Sequence, residues 1–166
     1  MMLRLIAAAV LSAACALAGR SMANACRRRA GTLRALIESV EKLRLSMLDK
    51  LLPLREALGG GHPAMRRVAE VMGPGGASAA WLRIKADLTA RGGALDCLTA
   101  PDVAALDELF SGLGESGVHE QRILLSGALE ALEKLRQEAE KKAREESKLY
   151  STLGFLAGLS LAILLL

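Results

Sequence analysis

One short stretch of this chain has the residue types and spacing of a nucleotide-binding loop. Gly112-Leu113-Gly114-Glu115-Ser116-Gly117 matches the pattern G-x-G-x-x-G letter for letter. Dinucleotide binding by that pattern requires a β-strand before the loop and a parallel sheet around it. Here an amphipathic helical pattern that ends near Phe110 precedes the loop. We therefore interpret the glycines as a helix-to-helix turn, because residues without a Cβ can adopt positive φ.

The other residues that could do chemistry form no catalytic or metal-binding pattern. No C-x-x-C pair occurs among the three cysteines, Cys15, Cys26 and Cys97. The spacings H-E-x-x-H and H-x-x-x-H, typical of metal ligands, are also absent around the two histidines, His62 and His119. No G-x-x-x-x-G-K-[ST] phosphate loop and no G-x-S-x-G nucleophile elbow occurs. The sequence predicts a protein that is not an enzyme and has no cofactor, no metal and no small-molecule substrate.

The basic residues are concentrated near the N-terminus. The net charge is +4, and the first acidic residue, Glu38, follows six arginines: Arg4, Arg20, Arg27, Arg28, Arg29 and Arg34. Removing these six from the 22 basic residues leaves 16 against 18 acidic residues, or −2, for the rest of the chain. A short basic block without aromatic residues argues against a nucleic-acid partner. It predicts instead that Arg27, Arg28 and Arg29 contact anionic lipid headgroups.

The C-terminal end is apolar. The 18 residues from Leu149 to Leu166 carry no charge. As a helix they would extend about 27 Å, close to the thickness of the hydrocarbon layer of a bilayer. Residues 149–166 are therefore predicted to form a transmembrane helix. Gly154, Gly158 and Ala162 lie on one face of it, and small residues at this spacing predict packing against another membrane helix.

The N-terminal end has a similar segment. An apolar run of 15 residues extends from Leu5 to Gly19. This is short for a span, but Arg4 and Arg20 can snorkel at its ends, so residues 1–26 are predicted to form a transmembrane helix. A cleaved signal peptide is the alternative, because Ala16-Leu17-Ala18 resembles a cleavage site. Positive charge is weak before this run and heavy after it, which is the reverse of a signal peptide.

Residues 27–148 are predicted to be an all-α body. Aromatic residues make up 2% of the chain, while helix formers are abundant. We expect these residues to form a compact bundle of about six helices with a charged stalk. The bundle should lie in the cytoplasm, because the basic residues beside both apolar ends favour that side of the membrane. The predicted core positions are Leu33, Leu36, Ile37, Val40, Leu43, Met47, Leu48, Leu51, Ala80, Trp81, Ile84, Leu88, Val103, Leu106, Leu109, Phe110, Leu113, Val118, Leu125, Leu129, Leu132 and Leu135.

Two helix starts are predicted from capping residues. Thr99-Ala100-Pro101-Asp102 resembles a capping box, in which a side chain at each end bonds a backbone N–H at the other. Ser116 is predicted to cap the last helix. That helix meets no glycine or proline between Gly127 and Gly154, so it should continue through the polar stretch RQEAEKKAREESK into the C-terminal span.

These features in this order resemble the stage III sporulation protein AB family. The matching parts are an N-terminal span followed by Cys26-Arg27-Arg28-Arg29, PLREAL, Trp81 within GASAAW, LDELFSGLGES followed by Gln121, and YSTLGFLAGLSLAILLL at the end. Two positions depart from the family pattern. Gly117 replaces a usual acidic residue, and LRLSML at 43–48 replaces a segment that contains Glu.

The resemblance implies a non-enzymatic membrane component of the secretion-like channel complex between mother cell and forespore. Its cytoplasmic body would be similar to the F domain of the type II secretion platform protein. The implied partners are the secretion-type ATPase, stage III sporulation protein AA, other membrane components of the channel, and the lipid bilayer. A generic membrane-tethered helical adaptor and a signal-cleaved, tail-anchored protein are the alternatives.

Overall fold

The computed structural model describes the backbone of residues 2–165 and the side chains of residues 24–145. Within the described backbone the secondary structure is entirely helical, which confirms the all-α prediction. The helices are α1 (Met2–Leu48), α2 (Leu54–Gly59), α3 (Pro63–Val71), α4 (Gly76–Thr89), α5 (Ala100–Gly112) and α6 (Val118–Leu165). The chain divides into two compact units, one of residues Arg29–Gln137 and one of Met1–Arg28 with Glu138–Leu166.

For both predicted transmembrane helices, almost none of the side chains are among those that the structure describes. Residues 2–26 belong to the first part of α1, and residues 149–165 belong to the last part of α6. In the part of the chain that the structure describes, no helix combines the length and hydropathy needed to cross a bilayer. Gly154, Gly158 and Ala162 also lie outside the described side chains, so their packing stays a prediction.

The core of the unit Arg29–Gln137 is formed by one apolar face of each helix. The buried residues that were predicted from helical spacing are Leu33, Leu36, Val40, Leu43, Ala80, Trp81, Ile84, Leu88, Leu106, Leu109, Phe110, Leu113, Leu125 and Leu132. Two core predictions are wrong. Leu51 is 74% exposed because α1 ends at Leu48, and Val118 is 58% exposed because it is the first residue of α6.

The three short helices between α1 and α5 pack in chain order, α2 on α3, α3 on α4, and α4 on α5. Proline and glycine set the limits of the first two: α2 follows Pro53 and ends at Gly59, and α3 begins at Pro63. The side chain of His62 caps α3, where its Nδ1 accepts a hydrogen bond from the backbone N–H of Ala64 at 3.2 Å. Through this series of contacts α4 lies against one side of α5.

Candidate docking groove

The turn between α5 and α6 is held together by the side chain of Gln121. Its Nε2 donates hydrogen bonds to the carbonyl oxygen of Gly112 at 2.8 Å and to Oγ of Ser116 at 2.9 Å. Its Oε1 accepts a hydrogen bond from the backbone N–H of Gly114 at 3.1 Å. Gln121 is only 3% exposed, so these bonds satisfy an amide that burial would otherwise penalise. The G-x-G-x-x-G segment is a helix-to-helix turn, as its sequence context predicted.

Gly114 is a residue of this turn at which a side chain is disfavoured. Its φ is +83°, and a Cβ atom on it would lie 2.7 Å from Cδ2 of Leu54. The left-handed backbone favours glycine, and any Cβ would also require the Leu54 side chain to shift. The predicted cap at Ser116 is wrong in position. The last helix begins at Val118, and the hydroxyl of Ser116 accepts its hydrogen bond from Gln121.

A groove of about 750 Å³ runs beside this turn, between α5 and α6. Its lining residues are Ala105, Glu108, Leu109 and Gly112 on α5, Ser116 in the turn, and Glu120, Ile123, Leu124, Gly127, Ala128 and Ala131 on α6. Within each helix the spacing of three and four residues places the set on one face. From residue 120 to residue 131, the α6 face extends for roughly 16 Å, or three helical turns.

The groove is mostly apolar, and its charges are negative. Among the lining residues Leu109 and Ala128 are buried, while Ile123 is 61% exposed. Glu108 and Glu120 are exposed and contribute one carboxylate from each helix. No Lys or Arg is among the described residues that line it. The groove therefore presents apolar side chains together with one carboxylate from each helix.

A buried ion pair joins α1 to the start of α5. Nε and Nη2 of Arg29 donate hydrogen bonds to the two carboxylate oxygens of Asp102, each at 2.7 Å. The carboxylate also accepts from the backbone N–H and the hydroxyl of Thr99, which confirms the predicted capping box. Burial raises the pKa of Asp102, but the hydrogen bonds from Arg29 and Thr99 outweigh it and hold the pKa below its ordinary value.

A second cluster joins α4 to α5. Trp81 is 1% exposed and stacks on Phe110 with the ring centroids 4.7 Å apart. Its Nε1 donates to Asp107 at 2.7 Å, and Nζ of Lys85 donates to the other carboxylate oxygen at 2.5 Å. Burial raises the pKa of Asp107, but the hydrogen bonds from Lys85 and Trp81 prevail and lower it. Asp107 and Phe110 lie on the side of α5 away from the groove residues.

The residues predicted to contact lipid differ in their surroundings. Arg27 and Arg28 are exposed, and for them lipid contact stays a prediction. Arg29 is only 11% exposed, and its guanidinium is bound by Asp102. For Arg29 the structure therefore shows an internal ion pair, which sequence reasoning missed because its partner lies 73 residues away.

The structure also places the two histidines. His62 is partly buried, and burial together with the nearby Arg66 lowers its pKa. His119 is exposed near the start of α6. In the described part of the chain, no group of His, Cys, Asp and Glu residues is arranged to hold a metal ion. The contact that the structure shows for the His62 ring is the cap at the start of α3, where Nδ1 accepts from the N–H of Ala64.

Replacing Gln121 with leucine is expected to lower the free energy of unfolding by about 2 kcal/mol. Leucine is of similar size but cannot make the hydrogen bonds that Gln121 forms with Gly112, Gly114 and Ser116. Urea unfolding measures the loss, and hydrogen exchange should become faster at the amide of Gly114. Glu130→Leu, at an exposed position of α6, is the control. Unchanged exchange at Gly114 in the Gln121 variant would contradict the assigned role.

These observations define an all-helical protein with an accessible groove at the junction of α5 and α6. Comparison with known families gives its family: the model of stage III sporulation protein AB matches residues 4–166. The chain belongs to the stage III sporulation protein AB family, as its sequence resemblance indicated. No curated protein and no solved structure matches the chain.

Proposed function

We propose that this protein is a non-enzymatic membrane scaffold of the channel complex between mother cell and forespore. In this role it docks the secretion-type ATPase, stage III sporulation protein AA, beside other membrane components of the channel. The observation that carries the proposal is the family match over residues 4–166, which gives a role in stage III of sporulation. The groove between α5 and α6 supports it, because docking requires an accessible surface.

The proposed membrane arrangement has two spans, residues 1–26 and 149–166, with residues 27–148 in the mother-cell cytoplasm. The uncharged C-terminal end and the arginines that follow the first apolar run support it. Gly154, Gly158 and Ala162 would pack the second span against the first. Arg27 and Arg28 would lie at the level of the lipid headgroups.

The membrane arrangement is tested in sporulating cells. The protein should remain in the pellet after carbonate extraction, and protease added outside intact mother cells should leave residues 27–148 uncut. Intact mass should show the complete N-terminus. Release by carbonate, external cleavage, or loss of the first residues would each contradict a two-span protein.

The docking proposal is tested by recovery of the ATPase. Tagged full-length protein isolated from sporulating cells should retain stage III sporulation protein AA, and deletion of the gene should arrest forespore development. The control is a chimera in which residues 1–26 and 149–166 flank an unrelated soluble domain. Equal recovery of the ATPase with the chimera, or normal spores after deletion, would contradict the proposal.

A further inference from the structure

We propose that the groove between α5 and α6 binds an amphipathic helix of a partner protein, with Lys or Arg residues flanking its apolar stripe. This inference rests on the proposed scaffold function and deepens it. It names the surface at which docking occurs and the chemistry of the segment that docks. The shape of the groove, its charge and one accessible glycine support it.

The length of the groove fits about three turns of a helix. The α6 wall extends for roughly 16 Å, which is the length of about three turns. Ala128, Ala131 and Gly127 have small or absent side chains on this wall, so another helix backbone can approach closely. Ile123 stands 61% exposed beside them and offers apolar surface to the incoming stripe. Helix-in-groove recognition uses this combination of an apolar channel and residues at helical spacing.

The negative charge of the groove favours basic residues on the flanks of the docked helix. Glu108 on α5 and Glu120 on α6 place one exposed carboxylate on each wall. With no described Lys or Arg in the lining, a helix with basic flanks gains two favourable charge contacts. An acidic helix would instead meet like charge on both sides, which penalises the wrong partner.

A second copy of this chain is a weaker candidate for the occupant. Docked groove to groove, a second copy would bring the carboxylates of Glu108 and Glu120 near the same two acids of its partner, and like charges oppose such pairing. A partner helix with basic flanks meets opposite charge at both positions.

Gly127 allows a test that preserves the fold. A Cβ atom on this residue would meet nothing within 4 Å, and the residue lies in the lining of the groove. Gly127→Leu therefore adds apolar bulk at the groove with no clash at its Cβ atom, and leucine is a better helix former than glycine. Gly127→Ala is the matched control, because it gives α6 similar support and leaves the groove open.

The probe is a synthetic 18-residue helical peptide with leucines along one face, lysines on both flanks and a photoreactive group on the leucine face. A twin peptide carries glutamate in place of lysine. Each is cross-linked to full-length protein in nanodiscs, and the labelled sites are mapped by mass spectrometry. We expect the lysine peptide to label residues between 105 and 131 with about tenfold higher yield than its twin.

The variants give the decisive comparison. Gly127→Leu, and the double reversal Glu108→Lys with Glu120→Lys, should each lower labelling by about tenfold. Gly127→Ala and Glu130→Lys should leave it unchanged. Equal labelling by both peptides, or labelling that Gly127→Leu does not reduce, would overturn the inference. So would a dimer of the chain that Gly127→Leu dissociates, or a lipid found in the groove of the purified protein.

Running the same variants in the ATPase recovery experiment separates this inference from the scaffold proposal. If the lysine peptide labels the groove but no ATPase is recovered with wild-type protein, the ATPase-docking proposal fails and the groove assignment stands. If Gly127→Leu recovers the ATPase fully and the peptide labels no site in the groove, the groove assignment fails and ATPase docking stands.

Discussion

Replacing Asp102 with asparagine is expected to lower the free energy of unfolding by about 3 kcal/mol. The substitution preserves size but removes the negative charge, so it breaks the ion pair between Arg29 and Asp102. Asp102 is 0% exposed and the Arg29 side chain is 11% exposed. The effect lies at the lower end for a broken buried pair because Arg29 retains some access to water. Urea unfolding followed by the fluorescence of Trp81, the only tryptophan, measures it.

An exposed ion pair provides the matched control. Arg34 and Glu38 form a similar contact at 3.2 Å, but their side chains are 75% and 65% exposed. Glu38→Gln should therefore change the free energy of unfolding by less than about 0.5 kcal/mol. Equal losses for Glu38→Gln and Asp102→Asn would show that burial of the Arg29–Asp102 pair is not the source of its contribution to stability.

The same pair predicts a pH dependence with a definite sign. The folded state lowers the pKa of Asp102, so the unfolded chain takes up its proton first as the pH falls. The stabilisation is complete above the ordinary pKa of 3.8 and is lost as the pH falls through the lower folded value. Below this range, the stabilities of wild type and Asp102→Asn should converge. A constant difference between them throughout the range would contradict ionisation as its origin.

Replacing Trp81 with alanine is expected to lower the free energy of unfolding by about 4 kcal/mol. The indole is 1% exposed and stacks on Phe110, so its removal leaves a large cavity between α4 and α5. It also removes the N–H that binds Asp107. Unfolding followed by circular dichroism measures the loss, since this variant has no tryptophan fluorescence.

Trp81→Phe separates packing from hydrogen bonding at the same position. Phenylalanine keeps a ring against Phe110 but cannot donate to Asp107, which retains its bond from Lys85. We therefore expect a smaller loss, of about 1 to 2 kcal/mol. If Trp81→Phe were as destabilising as Trp81→Ala, the hydrogen bond to Asp107 rather than the buried ring would dominate.

Features with short sequence separation were predicted well. The capping box at Thr99 and Asp102 spans three residues, and the apolar positions of α4 recur every three or four residues. Such patterns are visible because helical geometry repeats within a few residues. The helix ends were less certain: α1 stops before Leu51, and α6 starts after Ser116. The start of α6 follows a turn held by the side-chain bonds of Gln121 to Gly112, Gly114 and Ser116, and the spacing of apolar residues does not reveal such bonds.

The groove and the position of Arg29 could not be read from the sequence. Glu108 and Glu120 look like two exposed acids among many, and only the packing of α5 against α6 places both along one channel. Arg29 looks like its neighbours Arg27 and Arg28 in the basic block. Its position on α1 directs its side chain toward Asp102. The sequence cannot reveal this partner, because the contact depends on how α5 packs against α1.

The sequence by itself determined the helical class, the core faces, the family resemblance and the apolar character of both ends, because these depend on composition and local periodicity. The tertiary structure alone decided which charged residues are paired internally and which line an open surface. Charge and residue type are local properties. Burial and partnership depend on distances between helices that are far apart in the chain.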